Sequence, residues 1–399
     1  MDSDALLSSR AHSTVSSVIR DLLRLVDRPD MLSLAGGLPA PEHLPVARIA
    51  EALARVRGTR VGGTRALQYG PTEGMVELRE VVAGRLRCPI NEIVICTGSQ
   101  QGLDLVARSL LDPGDLVVVA DPSYLGSLQS FRAAGAELHA VASDEDGLDV
   151  EALGVVLESG LRPKLVSVVT DFANPTGATL SAARRRRLLE LAVGFGFVVV
   201  EDNPYGELRW AGEAEPSLGA LAAGTPAADL VVTLGSASKV LAPGLRLGWL
   251  RGPAWLTDAV VRLKQSSDLH TSSLDQLLAA DVLGDTAFME AHLGLIRADY
   301  CTRAGVLVDA LSDFGGGRIE AALPDGGMFV WARLTDGSSS SDLFERALEE
   351  GVAFVPGAAF SLDIPSDGRR SDRLRMCFTT LRPDELKVAV SRLVSILPR

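Results

Sequence analysis

The chain has 399 residues, 47% of them hydrophobic and 23% charged, an ordinary globular composition with enough length for two domains or one large α/β unit. Its net charge of -12 excludes a general nucleic-acid-binding surface, because phosphate binding needs excess positive charge. No uncharged apolar run approaches the ~18 residues of a membrane helix and the N-terminus has no signal-peptide core, so a soluble, cytoplasmic protein is predicted.

In chain order, residues 12–26 place Val15, Val18, Leu22, Leu25 and Val26 at helical spacing, with Arg20 off that apolar stripe. Residues 33–45 (SLAGGLPAPEHLP) form an extended, Gly/Pro-punctuated segment, in which Gly36-Gly37 makes either a plain turn or a close backbone approach. Helices are predicted over 46–56 and 75–86, with a turn at 67–71 that contains Tyr69. The pattern then alternates. Apolar β-rich runs at 93–97, 116–120, 138–141, 165–170, 197–201, 230–234 and 245–250 are mostly separated by helical stretches such as 102–111, 125–134 and 182–193. Near-continuous apolar strands between helices imply a mostly parallel sheet covered on both faces. The four-arginine run 184–187 is expected to be a solvated helix face. Helices follow at 272–283 and 286–311, and beyond the glycines at 315–317 the pattern becomes α+β, with strands at 327–333, 353–355 and 373–379, helices at 341–350 and 383–397, and a polar stretch at 363–372. The four cysteines and five histidines are dispersed without a C-x-x-C or H-E-x-x-H spacing, so no protein-bound metal is expected.

Ligands of such sheets sit beyond the carboxyl ends of the strands. The residues there are Ser99-Gln100 opening a helix, Tyr124, Asn174 within ANPTG, Asp202 and Tyr205 within EDNPYG, and Lys239 within SASK. Lys239 lies in a tight loop of small residues between two apolar runs, where loss of solvation lowers an amine's pKa and makes it a nucleophile or Schiff-base former. A phosphate-binding Walker loop is excluded because Ser238 and Val240 flank this lysine. Anion-binding amides, a flat aromatic, an amide, a carboxylate, a phenol and an amine on one edge suit a planar heteroaromatic phosphate aldehyde.

The motifs SLAGGLPAPEHLP, LQYGPTEG, TGSQQGLDLVARSLLDPGD, DPSY, ANPTG, EDNPYGEL, SASKVLAPGLRLGW, KQSSDLHTSS, DGGMFVW and LRMCF, in this order, resemble the fold-type I pyridoxal-phosphate aminotransferases of class I/II over nearly the whole chain. IRDLLRL with AGGLPAPE resembles the branch that includes α-aminoadipate and broad-specificity aromatic or branched-chain enzymes. It is also similar to the effector domains of MocR-type regulators, although here the chain begins directly with the aminotransferase-like region. The resemblance implies a large domain over 61–285 with a mostly parallel seven-stranded sheet, a small α+β domain over 286–399, and an N-terminal segment 1–60 that partly joins the small domain. It also implies a homodimer.

On this resemblance, Lys239 forms an aldimine with pyridoxal 5'-phosphate and shuttles a proton, and Asp202 pairs with the pyridine nitrogen. Tyr205 and Asn174 bond the ring oxygen and Tyr124 stacks on the ring. Ser99, Gln100, Ser236, Ser238 and Arg246 hold the phosphate, with Tyr69 reaching in from the partner subunit. Arg375 grips the substrate α-carboxylate, the backbone at Gly37 closes over the substrate, and Arg20 reads the far end of an acidic side chain. Three departures stand out: Gly235-Ser236-Ala237-Ser238 before the lysine, Asn203 where a second acid is common, and Cys377 where serine or asparagine is usual. The implied reaction is transfer of an amino group between an L-α-amino acid and a 2-oxo acid. The alternatives are elimination, replacement, cyclisation or oxidation with the same cofactor, or a non-catalytic sensor.

Overall fold

The computed structural model describes residues 6–8, 11–12, 30–58, 60–362 and 371–397; Arg20 and most of the helix expected over 12–26 lie outside them, as does most of the polar stretch 363–372. A two-residue strand, β1 (Leu32–Ser33), opens the described fold. The main sheet draws on β2 (Ile93–Cys96), β3 (Leu116–Asp121), β4 (Glu137–Asp144), β5 (Gly147–Leu148), β6 (Leu165–Val169), β7 (Val198–Asp202), β8 (Val231–Ser236) and β9 (Gly248–Arg251). Their spatial order is β2-β9-β8-β7-β6-β3-β4-β5. The four neighbour pairs from β8 through β7, β6 and β3 to β4 are parallel, while β9 runs antiparallel to both of its neighbours. Apart from the two-residue ribbon β5, this is the seven-stranded, mostly parallel sheet expected from the alternating pattern.

Burial on both faces explains the apolar strand composition. Val94, Val117, Val119, Leu165, Val200, Val232 and Leu234 pack on one side, and Val118, Val166, Val168, Val199 and Val231 on the other. A second, four-stranded sheet is antiparallel, in the order β10 (Ile319–Glu320), β11 (Phe329–Leu334), β14 (Arg373–Cys377), β13 (Val355–Pro356); β12 (Val352–Ala353) pairs instead with β1. The long helix Thr286–Gly315 begins at an Asp285 cap and ends at Gly316 in the left-handed region, φ 57°. Among the described residues no helix is long and apolar enough to cross a membrane.

Two differences from the sequence expectations have physical causes. The run expected as a strand over 245–250 begins its pairing only at Gly248, because residues 243–245 make a 3-10 turn and Arg246 takes a left-handed conformation, φ 51°. The arginine run is not uniformly solvated: Arg185 is fully buried and bonds Asp171 Oδ1 at 3.0 Å, together with the carbonyls of Leu180, Thr170 and Pro216. Its acidic partner comes from another element, so local charge pattern alone does not reveal it.

Candidate active site

The register of the sheet gathers the loops. Asp202 lies level with Val169 on one side and Leu234 on the other, and Ser236 and Cys96 both pair with Gly248. The turns that leave β2, β6, β7 and β8 therefore open on one edge, a few strand spacings apart. A narrow enclosed cavity there is lined by Ser123, Tyr124, Asn174 and Asp202.

At one end of this edge the helix Ser99–Leu110 starts behind Gly98, whose φ of 80° favours glycine. A Cβ on Gly98 would stand 2.8 Å from Arg246 Nη2, and one on Gly248 would stand 2.5 Å from the Ser99 nitrogen. These absent side chains bring a guanidinium and the first helical N–H groups together. Ser236 Oγ accepts from the Ser238 amide at 3.1 Å, which leaves its O–H available as a donor. The Gln100 side chain, by contrast, donates to Gly126 O at 2.9 Å and Ser130 Oγ at 2.8 Å. Its contribution to an anion would come from the backbone N–H at the helix start.

Deeper in, Asp202 is 4% exposed and its Oδ1 is buried with no hydrogen-bond partner among the described residues. Burial, and secondarily the charge of Glu201, pushes its pKa up to about 7. A buried carboxylate oxygen left without a donor fits a protonated ring nitrogen, which would supply the missing hydrogen bond and the opposing charge. Tyr205 is buried, its ring edge-on to Phe329 with centroids 5.8 Å apart, and burial raises its phenol pKa. Burial also raises the pKa of Tyr124, with the Asp202 charge adding to it.

Lys239 is half-buried and its Nζ donates to the Gly37 carbonyl at 2.6 Å. Desolvation is the first cause that lowers its pKa to about 8, and the Arg375 and Arg246 guanidiniums act in the same direction. A sizeable neutral fraction is then present near neutral pH, as a nucleophilic amine requires. The other lysines differ in kind. Lys264 is fully buried but its Nζ is held by both Asp268 oxygens at 2.8 Å, Lys164 pairs with Asp115 at 2.9 Å, and Lys387 is exposed.

At the far side Arg375, 2% exposed, projects from β14. Its Nη1 donates to Asn174 Oδ1 at 2.8 Å and its Nη2 to the carbonyls of Ala35 and Gly36 at 2.6 and 3.0 Å. The guanidinium carbon lies 4.4 Å from the Phe329 ring centroid and 5.2 Å from that of Phe360. Because Asn174 uses its oxygen on Arg375, its NH₂ remains to donate elsewhere. Cys377 donates its backbone N–H to Leu34 O at 2.7 Å and contacts Thr379 Oγ1 at 3.1 Å; that hydroxyl in turn donates to Leu38 O at 2.6 Å. The unusual Cys377 thus helps hold the segment that carries Gly37.

Of the residues singled out from sequence, Ser99, Gln100, Tyr124, Asn174, Asp202, Tyr205, Ser236, Ser238, Lys239, Arg246, Arg375 and Gly37 converge on this edge. Tyr69 does not join its own chain's cluster. It is 78% exposed and packs edge-on against His270 at 5.7 Å. The sequence reading misses Phe329 and Phe360; the first lies inside the DGGMFVW motif, which marks the stretch without singling out its phenylalanine.

Comparisons with known proteins agree with this chemistry. The family described as aminotransferase class I and II matches residues 29–393. A 2-aminoadipate transaminase from Thermus thermophilus is 42% identical over 380 residues, covering 95% of this chain and 93% of that protein. An aromatic-amino-acid aminotransferase from Thermococcus litoralis is 36% identical over 409 residues, covering 100% of this chain and 95% of that protein. The crystal structure of an α-aminoadipate aminotransferase from Thermus thermophilus, complexed with N-(5'-phosphopyridoxyl)-L-leucine, superimposes with a TM-score of 0.90 at 39% identity, covering 99% of this chain and 98% of that one.

Proposed function

Because the chain belongs to aminotransferase class I and II, and is a pyridoxal-phosphate enzyme moving an amino group between an amino acid and a 2-oxo acid, we propose that its substrates are those of the α-aminoadipate and aromatic branch. One contrast on the strand-end edge carries the assignment of the site. Among the described residues, the Lys239 amine has no acidic partner and the buried Asp202 Oδ1 has no donor.

When bound, pyridoxal phosphate supplies an electrophilic aldehyde and a ring that withdraws electrons from the substrate. The first-turn amides of Ser99 and Gln100, the hydroxyls of Ser236 and Ser238, and Arg246 hold the phosphate. Asp202 holds a proton on the ring nitrogen. Tyr205 and the Asn174 amide donate to the ring oxygen, and Tyr124 covers one face of the ring. Lys239 anchors the cofactor and then moves the proton at the substrate Cα. Arg375 presents a fixed planar fork to the substrate carboxylate, which displaces the Ala35 and Gly36 carbonyls from its Nη2.

The test is to titrate the protein with 2-aminoadipate, glutamate, aromatic and branched-chain amino acids while recording the cofactor's absorbance and assaying oxo acids. Bleaching with oxo-acid release by 2-aminoadipate and aromatic donors is expected. Release of a side-chain leaving group, or no oxo acid from any donor, would overturn the reading. In the same panel, Arg20→Ala is expected to raise KM for dicarboxylic donors by the equivalent of ~1.5–3 kcal/mol, the worth of a hydrogen bond to a charged group, while sparing uncharged donors. Equal effects on both classes would remove Arg20 as a side-chain reader.

The same proposal includes a cytoplasmic homodimer. Leu67 and Tyr69, two residues apart along the chain, are 84% and 78% exposed, as expected of residues that a second copy covers. With Tyr69 completing the partner's phosphate site, mixing Tyr69→Phe with Lys239→Ala subunits puts both defects in one site of the heterodimer and none in the other. Partial recovery of activity is expected; none, despite verified subunit exchange, would mean each site is built from one chain. The proposed division has a large domain over 61–285 and a small one over 286–399, joined in part by residues 1–60. The pairing of Leu32 with Val352 supports that last connection.

A further inference from the structure

Asn203 stands where the resemblance leads one to expect a second acid, and its surroundings give a reason for the amide. Its Oδ1 accepts from the Gly206 N–H at 2.9 Å, which closes the turn that presents Tyr205. Its Nδ2 donates to Asp171 Oδ2 at 2.7 Å, in the loop that leads to Asn174. The two partners fix the orientation of the amide, since only its nitrogen can face a carboxylate and only its oxygen can face an N–H. Asp171 is 4% exposed, and its other oxygen is held by Arg185 at 3.0 Å and Arg209 at 3.2 Å. Arg185 also lies 3.9 Å from fully buried Glu201, whose carboxylate accepts from Thr170, Thr233 and the Leu218 and Gly219 amides. Thr170 also donates weakly to Asp171 Oδ2, at 3.4 Å. The charged groups around the link are therefore Asp171, Arg185, Arg209 and Glu201.

The geometry points to Asn203 as a positioning residue: its amide cross-links the Tyr205 turn to the Asn174 loop, so that two donors to the cofactor's ring oxygen are held as one unit, and a carboxylate at this position would be repelled by Asp171. The inference rests on the proposed roles of Tyr205 and Asn174, but half of its test does not.

The experiment uses the holoenzyme and two variants. In Asn203→Asp the turn acceptor remains but the introduced carboxyl faces Asp171, whose far oxygen is held by Arg185 and Arg209, so repulsion raises the pKa of the introduced group. A group whose pKa is raised in the folded state gives its stability at low pH and loses it as pH rises through that pKa. Asn203→Asp is therefore expected to melt below the parent at pH 8 and to approach it at pH 5. Asn203→Ser keeps an acceptor for the turn but is too short to reach Asp171, and no such pH-dependent loss is expected. In both variants the pH midpoint of the bound cofactor's absorbance change should rise by about half a unit, because looser donors leave more charge on the ring oxygen to retain the proton on the neighbouring linkage nitrogen. A pH-independent melting difference in Asn203→Asp would overturn the contact with Asp171. An unchanged absorbance midpoint in Asn203→Ser would overturn the positioning role and leave the amide only structural. Absence of any cofactor band in the parent would instead sink the proposed site itself, while the melting comparison still reads the cross-link.

Discussion

Replacing Lys239 with alanine is expected to cut the transamination rate ~10⁴-fold or more, because in the proposed site one side chain is both the covalent anchor and the proton carrier. The structure gives this lysine the necessary environment. Its amine has no acidic partner among the described residues, rests on a single backbone carbonyl, and is lowered to about 8 by burial and the nearby guanidiniums. Lys264 is more deeply buried, yet its amine is paired with both carboxylate oxygens of Asp268. Burial alone therefore does not identify the reactive amine; the absence of a counter-charge does. The measurement is a single-turnover assay with bound cofactor. A Lys239→Ala enzyme within tenfold of the parent would contradict the assignment.

The second large effect is expected at Asp202. In the proposed site, asparagine there cannot keep the cofactor's ring nitrogen protonated, and a charge-assisted contact in a dry site is worth several kcal/mol, so a rate loss on the order of 10³-fold is expected. Stability should move the opposite way. The pKa of Asp202 is raised to about 7, so in the cofactor-free protein its ionisation costs stability as pH rises through that value. Asp202→Asn should accordingly stabilise the cofactor-free protein at pH 8 by on the order of 2–4 kcal/mol, with no gain at pH 4 where the carboxyl is neutral. Near-parental single-turnover rates, or a melting difference that ignores pH, would show that this carboxylate is only a strand-end cap.

Much of the site is legible in the sequence because many of its residues lie at or just beyond the end of a strongly apolar strand. The runs ending at Cys96, Val169, Asp202 and Ser236 carry their own boundaries in Gly98, Asn174-Pro175, Asn203-Pro204 and the small residues before Lys239. What escapes is pairing between elements. Arg185 reads as one of four solvated charges, and its burial depends on Asp171, from the loop after β6, and Glu201, from β7. The aromatic rings flanking Arg375 come from β11 and the turn Gly357–Phe360, away from that arginine along the chain. Gln100 is recognisable as a helix-start residue, but its side chain bonds the neighbouring helix, which only three-dimensional contacts reveal.

Which amine carries the cofactor decides the assignment of the site. The purified protein should be yellow, and borohydride reduction followed by peptide mapping should place the cofactor on the peptide containing Lys239. A label on Lys264, or a protein that takes up no label after reconstitution with pyridoxal phosphate, would contradict it.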